Sequence, residues 1–469
     1  SGVFSTSATS GGGAAVIAQY QILTGLDVYV IGTGWGAGPW GRGGWGSGYT
    51  SGIGEQLRLW TADNFGQDLV LAPRGGSIYY WKDSTGVSTR AQLLSSLATG
   101  AGYSGQFVPT ATNWIVSSDT QRFVIAFGAN PYDAANPNTT FDPMLVRWSD
   151  QENPYQWVPE VTNQSGEYRL NHGSYIVCSE FTRQETLIWT DSTLYSMQYI
   201  GAPYVYGFNT LMDNISIMGP NAAVTVNNVT YWMGQDKFYM YSGRVETLPC
   251  SLKQFVFADI NSDQSFQVFA GGNEGYNEVW WFYCSGNSTV IDKYVIYNYL
   301  DRVWYYGTMA RTAWLDSGIR PYPMATNYDN RILYHESSVD DNSGLTPVAI
   351  NAYVQSSDFD IDAGHQFSFA WRMLPDVNFN GSNVNAPSVT LTVRPRQNSG
   401  SPYGTADTPT VTSSDNYVRQ HVYTIQEFTG QVYTRLRGRQ MSLRVESNDL
   451  GVAWQLGVIR LDLRPDGRR

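Results

Sequence analysis

Residues able to do chemistry are sparse in this chain and poorly placed for it. The four histidines, His172, His335, His365 and His421, lie far apart, with neither an HExxH pair nor the close Cys/His spacing a zinc site needs. There is no G-x-S-x-G elbow, and the glycine-rich run Gly32–Gly48 lacks the GK[ST] that would cradle a phosphate. Acids are common, but nothing picks out two that face one another as a glycosidase pair must. Cys178, Cys250 and Cys284 are too few and too scattered for a disulfide framework. Reduced, packed thiols are expected, which suits assembly in a bacterial cytoplasm. The chain reads as non-enzymatic, with no catalytic residue, cofactor or metal expected.

Two charged patterns stand out from this background. DFDIDAG (Asp358–Gly364) opens like a calcium loop, but its sixth position is Ala363 instead of Gly and its twelfth is Phe369 instead of Glu. A strand accounts for it better, with Phe359 and Ile361 inward and Asp358, Asp360 and Asp362 on one outward face. RLRGRQ spaces Arg435, Arg437 and Arg439 in the same way. Guanidinium groups take carboxylates in two-pronged hydrogen bonds, so the two ladders are expected to meet within a sheet or across a subunit contact. A pair of separately solvated faces is the alternative.

The elements carrying these residues are strands. Only 15% of residues are charged, while the 47 Gly, 32 Tyr and 16 Trp supply tight turns and half-buried pleated surfaces. No long stretch shows the three-and-four apolar spacing of a helix. The net charge is -11, which makes a poor sequence-independent DNA binder but leaves a wall that could surround DNA without sticking to it. No apolar run approaches the roughly 20 residues of a membrane helix. The opening, Ser1 onward, is not a signal peptide, and without an initiating Met it suggests an upstream segment lost or removed. Six Asn-x-Ser/Thr triplets, beginning at Asn138, Asn163, Asn214, Asn228, Asn287 and Asn380, are what chance provides in such a composition.

Three regions follow. Residues 1–50 form a Gly/Trp-rich extended arm, in which Val16–Ile31 can supply a strand or two. Trp35, Trp40 and Trp45 are set for docking into a neighbour, since three solvated tryptophans would invite aggregation. A flexible linker is the plainer reading. Residues 51–346 repeat an aromatic strand, a polar turn and a second aromatic strand, at Leu69–Trp81, Met144–Trp157, Thr186–Tyr199, Thr230–Val245 and Glu278–Tyr306, and more weakly at Arg331–His335. A spacing of roughly 40–65 residues lies in the range of four-stranded blades, so an irregular β-propeller of about five to seven blades is expected. A pair of sandwiches with coincidental spacing is the alternative. Residues 347–469 alternate strictly and predict a β-sandwich or platform domain. Phe367, Phe369, Trp371 and Met373 share one face against Ser368, Ala370 and Arg372. Val389, Leu391 and Val393 alternate with Thr390, Thr392 and Arg394. Breaks in parity between Leu436 and Met441, and at Val458–Ile459, predict bulges.

Some strings are idiosyncratic enough to suggest a family. LRLWTADNFGQDLVLAPRGGSIYYW (Leu57–Trp81), preceded by the Trp-Gly arm, resembles the tail nozzle family of short-tailed bacteriophages, also called tail tubular protein B. FSFAWRMLPDVNFNGS (Phe367–Ser382) is similar to a later signature of that family. FTGQVYTRLRGRQMSLRVESNDLGVAWQLGVIRLDLRPDGRR (Phe428–Arg469) is similar to its carboxyl terminus. The resemblance is good at both ends and looser between, and departs in lacking the amino-terminal β domain usual in the family. It implies a structural virion protein of the tail, assembled in the host cytoplasm as a six-fold ring below portal and adaptor. It further implies a propeller with platform sheets around a channel for genomic DNA, and contacts to the tail adaptor and to fibres. An acidic wall would leave the duplex lubricated by water and ions. Arg435, Arg437, Arg439, Arg468 and Arg469 are candidates for holding the DNA end or for pairing between subunits. The competing classes are a carbohydrate-binding or adhesive propeller and, with less support, a propeller glycosidase.

Overall fold

A computed structural model describes Leu57 and residues 59–360, 364–401, 403 and 420–467. The fold is all-β, and the chain divides into two compact units, Ser1–Ile332 and Leu333–Arg469. The sequence reading placed that division between 346 and 347.

Among the described residues of the first unit, five four-stranded antiparallel meanders follow one another. They are β1 (Trp60–Phe65), β2 (Asp68–Pro73), β3 (Tyr79–Trp81) and β4 (Gln92–Leu93); β5 (Thr112–Ser117), β6 (Val124–Ala129), β7 (Asp142–Trp148) and β8 (Gly166–Arg169); and β9 (Ile176–Phe181), β10 (Thr186–Thr190), β11 (Thr193–Gly201) and β12 (Val205–Asp213). The fourth is β13 (Ala223–Val226), β14 (Val229–Met233), β15 (Phe238–Tyr241) and β16 (Val245–Leu248). The fifth is β17 (Phe269–Asn273), β18 (Glu278–Tyr283), β19 (Lys293–Asn298) and β20 (Val303–Thr308). A three-stranded meander of β21 (Ala313–Leu315), β22 (Met324–Thr326) and β23 (Ile332–Tyr334) comes next, ending at the division. The first strands lie side by side in series: β5 against β1, then β9, β13, β17 and β21.

Local sequence explains the meanders. Second strands such as VIAFGA in β6 and TLIWT in β10 are buried along their whole length, and they read as largely apolar runs because both faces are covered. The turns carry the polar residues. Asn227 and Asn228 both take positive φ between β13 and β14, the two-residue hairpin turn whose twist matches its strands. Asn298 Oδ1 accepts from the backbone of Leu300 and Asp301 and so shapes the turn into β20. Four of the five stronger sequence repeats coincide with these hairpins. Met144–Trp157 does not: β7 ends at Trp148, and Trp157 sits in a loop, buried, with its indole N–H donating to Pro154 O. Here the loop before β8 borrows a core tryptophan, which the pattern of aromatics could not distinguish from a strand.

The main core of this unit is aromatic. Trp232 lies edge-on to Trp189 at 5.3 Å and stacks on Tyr239 at 5.3 Å, while Phe238 touches both Trp281 and Trp304. Cys178 and Cys284 are buried free thiols and Cys250 is half-buried.

The second unit holds β24 (Asp340–Asp341), β25 (Val348–Ala349), β26 (Ala352–Gln355), β27 (Phe359–Asp360), β28 (Ser368–Leu374), β29 (Val377–Asn378), β30 (Ser388–Arg396), β31 (His421–Gln426), β32 (Val432–Gly438), β33 (Gln440–Ser447), β34 (Gln455–Leu456) and β35 (Arg460–Pro465). One sheet runs β26-β33-β30-β31 with β27 also on β33; a second runs β32-β28-β35. They share one core, built from Val389, Leu391, Val393 and Met441 on the first and Ala370, Met373 and Leu436 on the second. The alternation of β30 is as the sequence predicted.

Two expectations in this unit need correction. A bulge at Trp371, where the register shifts against both β32 and β35, moves the core face from Ala370 to Met373. Phe369 and Trp371 are therefore half-buried on the other face instead of sharing one with Met373. No bulge reconciles Leu436 with Met441. The chain turns at Gly438 from the second sheet into the first, so each residue keeps its own parity and both reach the common core. Val458–Ile459 also needs no bulge, since it lies in the loop between β34 and β35. Among the described residues, no helix is long and apolar enough to cross a membrane.

Candidate functional site

Of the arginines singled out in the sequence, Arg435 and Arg437 sit on β32 in the three-stranded sheet of the second unit and Arg439 in the bend that follows it, and their spacing puts them beside aromatic residues. Arg437, opposite Phe369 in register, lies 4.1 Å over the ring of Phe367, and Arg439 lies 4.9 Å from the same ring. Bulged Trp371 is held likewise between Arg372, at 4.8 Å, and Arg464, at 5.1 Å. Such cation–π contacts contribute about 0.5–1 kcal/mol each at exposed sites, and they hold flexible side chains flat on the sheet. Arg437 pairs with Asp466 and Arg372 with Asp462. Arg435 and Arg460 are exposed, as is Tyr433 between them in the register of the sheet. The result is a basic face with aromatic spacers. Every cation on it is an arginine, and the chain has no lysine after Lys293.

The acidic residues are distributed differently. Asp358 forms its ion pair with Arg396 at 2.5 Å and accepts from Tyr403 Oη, while Arg396 stacks on that tyrosine at 4.0 Å. Asp360 is exposed and stands opposite Gln440, the neighbour of Arg439. Asp358 and Arg437 thus meet other partners, in Arg396 and Asp466. Asp362, Arg468, Arg469, Trp35, Trp40 and Trp45 lie outside the described residues.

Sequence reasoning missed one buried charge, Arg147, and two half-buried ones, Arg74 and Glu180, in the first unit. Arg74, in the turn after β2, donates to Val177 O at 2.8 Å and to Asn113 O at 3.2 Å, so one guanidinium ties together the starts of the first three meanders. Its place before Gly75-Gly76, where the chain needs donors for carbonyls at strand starts, was the only signal. Arg147 is the one charge in the apolar run MLVRW. Glu180 on β9 accepts from Thr225 N at 3.1 Å. Burial, aided by the nearby carboxylate of Asp63, pushes Glu180 up to about 7. Asp63 is also raised, chiefly by burial, despite accepting from Ser117 N at 2.7 Å.

That shift has a measurable consequence. Folded Glu180 keeps a proton that the unfolded chain releases near 4.5, so its contribution to stability is complete below 4.5 and is lost as pH rises through about 7. Glu180→Gln keeps an acceptor for Thr225 and has no charge to bury. At pH 8 the variant is expected to be more stable than the parent by on the order of 2–3 kcal/mol, with no gain at pH 4.5. Urea midpoints across that range test this; an equal difference at both ends would show that Glu180 ionisation is not the cause.

No protein-family model matches this chain, and no curated protein matches it. Solved structures give remote likenesses. Hsv2 of Kluyvelomyces marxianus aligns at 8% identity and TM-score 0.32, over 58% of this chain and 72% of that one. The extracellular domain of the one-component system BT4673 from B. thetaiotaomicron aligns at 10% identity and TM-score 0.36, over 60% of this chain and 33% of that one. The computationally designed protein Ika8 aligns at 13% identity and TM-score 0.33, over 60% and 72%. At these scores none carries an argument about function. Among the described residues, no group of three or more His, Cys, Asp or Glu is placed to hold a metal ion.

Proposed function

We propose that this chain is a structural virion protein of a short-tailed bacteriophage, the nozzle at the distal end of the tail tube. In this reading the serial meanders are blades of an irregular β-propeller. The second unit is a sandwich or platform domain, and about six copies close into a ring around a channel that retains and then releases the genome. The tail adaptor binds above, fibres attach outside, and genomic DNA passes without sequence-specific contact. The ring assembles in the host bacterial cytoplasm.

One observation carries the assembly part of the proposal. The fifth meander ends on β20, whose outer edge is unpaired among the described residues, and Val303 and Tyr305 are exposed along it, with Leu300 in the preceding turn. Long apolar edges are self-association templates that lone soluble chains avoid. Repeated head-to-tail, such a contact closes into a ring when the rotation fits. The sequence strings at Leu57–Trp81 and Phe428–Arg469 supply the family. The basic face of Arg435, Arg437 and Arg439, the acids Asp358, Asp360 and Asp362, and the Trp35, Trp40 and Trp45 arm are the contacts assigned to neighbouring copies or to the channel.

Light scattering and electron microscopy of the purified chain, alone and with its adaptor, test the proposal. Rings of about six copies are expected, and Leu300→Lys with Tyr305→Lys is expected to leave monomers of nearly unchanged stability. A parent chain that stays monomeric with its adaptor present defeats the reading.

A further inference from the structure

A cleft of about 240 Å³ opens in the first unit between the β5–β6 turn, the β9–β10 turn and the base of the β11–β12 hairpin. Its lining divides by hydrogen-bonding state. Glu185 is saturated: it accepts from Ser196 Oγ, Gln198 Nε2 and Tyr241 Oη. Gln121 Oε1 is likewise occupied by Ser118 and Thr120. Asp119 and Arg183, by contrast, are exposed at the rim and, among the described residues, make no ion pair or side-chain hydrogen bond. Deeper, the hydroxyl of Tyr206, a residue only 7% exposed, lies near Ser118 without a well-formed hydrogen bond. A buried hydroxyl left unmatched costs about 1–3 kcal/mol, and a polar ligand in the cleft would remove that cost.

Aromatic rings complete the site. Tyr206 stands edge-on to Tyr199, Phe123 and Trp148. Tyr199, more than a third exposed, and Phe181 line the cleft wall. A free carboxylate and a free guanidinium beside an aromatic wall match vicinal hydroxyl pairs on one side of a ring and its C–H face on the other. The volume falls below the roughly 300–1,000 Å³ of pockets for drug-sized ligands, so the site takes a single ring, not an extended chain.

We propose that this cleft binds one neutral hexose unit, free or at the end of a glycan. Asp119 and Arg183 grip adjacent hydroxyls, Tyr206 donates from below, and Tyr199 packs on the ring. The acidic balance of the lining, Asp119 and Glu185 against Arg183, disfavours an anionic sugar. This proposal stands independently of the ring assembly above.

Saturation-transfer NMR on the whole chain, with a panel of methyl glucosides, galactosides and mannosides run beside glucuronate and sialic acid, provides the test. Transfer to at least one of them is expected. Asp119→Ala and Arg183→Ala, at exposed positions, should each weaken it at least fivefold. Tyr206→Phe should weaken it similarly while leaving the melting temperature equal or higher, which a merely structural role for the hydroxyl would not produce. Absence of transfer to every glycoside overturns the proposal, as does transfer unchanged in all three variants. Transfer to glucuronate or sialic acid alone, abolished only by Arg183→Ala, overturns the neutral-sugar assignment in favour of an anion site.

Discussion

Arg147→Met is expected to destabilise the first unit by on the order of 3–5 kcal/mol, a loss large enough to threaten folding of the second meander. The side chain is 1% exposed, and its Nη atoms donate to Asn130 O at 2.8 Å, Trp157 O at 2.9 Å and Phe107 O at 3.0 Å. These carbonyls belong to three loops around the second meander, so the guanidinium is the hub on which the loops converge. Methionine fills much of the volume but leaves three buried acceptors unmet, each at about 1–3 kcal/mol. It also leaves Glu167, 3.6 Å away, without its counter-charge. Burial lowers the guanidinium to about 10, still well above neutrality, so the charge is present under ordinary conditions. Arg147→Lys retains that charge with one nitrogen instead of a fork, and an intermediate loss is expected. Urea denaturation followed by tryptophan fluorescence measures both. A loss under about 1 kcal/mol for Met would mean that the carbonyls find other donors.

The aromatic core makes a second large prediction, with an internal control. Trp232→Ala is expected to cost about 3–5 kcal/mol, because a fully buried indole leaves a cavity walled by Trp189 and Tyr239. Trp232→Phe should cost much less, since the Trp232 indole N–H is buried without a partner and its removal relieves an unmet donor. Trp281 is equally buried but donates to Ala222 O at 3.1 Å. Trp281→Phe therefore removes a made hydrogen bond, leaving Ala222 O with the backbone N–H of Met233 alone, and is expected to cost about 1 kcal/mol more than Trp232→Phe. Thermal or urea unfolding of the three variants decides it; equal losses for the two phenylalanine variants would remove the hydrogen-bond explanation.

How far the sequence reached can be followed in these residues. Strands and turns were legible wherever an Asp or Asn turn separated two aromatic runs, as between Thr190 and Thr193 or between Asn298 and Val303, because the turn chemistry is local. Trp157 failed that test, since a loop tryptophan folded back into the core looks the same in sequence as one on a strand. The run from Phe367 to Met373 misled for the opposite reason. Its alternation is perfect in sequence, and only the register against β32 and β35 reveals that Trp371 is bulged. Arg147 and Arg74 were invisible because their partners are backbone carbonyls contributed by distant loops, and such acceptors leave no side-chain signature. The Arg435–Arg439 ladder was found, but not its stacking on Phe367, which depends on which strands become neighbours. The cleft beside Tyr206 was equally hidden: its walls come from three elements that only the assembled sheets bring together.

The all-arginine make-up of the basic sheet face has a practical outcome. Guanidinium groups are not acceptors for the acetyl transfer that modifies lysine, so this positive surface is deaf to it. Reagents that map contacts through primary amines will find their lysine targets at Lys82, Lys237, Lys253 and Lys293, all in the other unit. Footprinting of the face therefore calls for dicarbonyls, phenylglyoxal for instance, which react with guanidines.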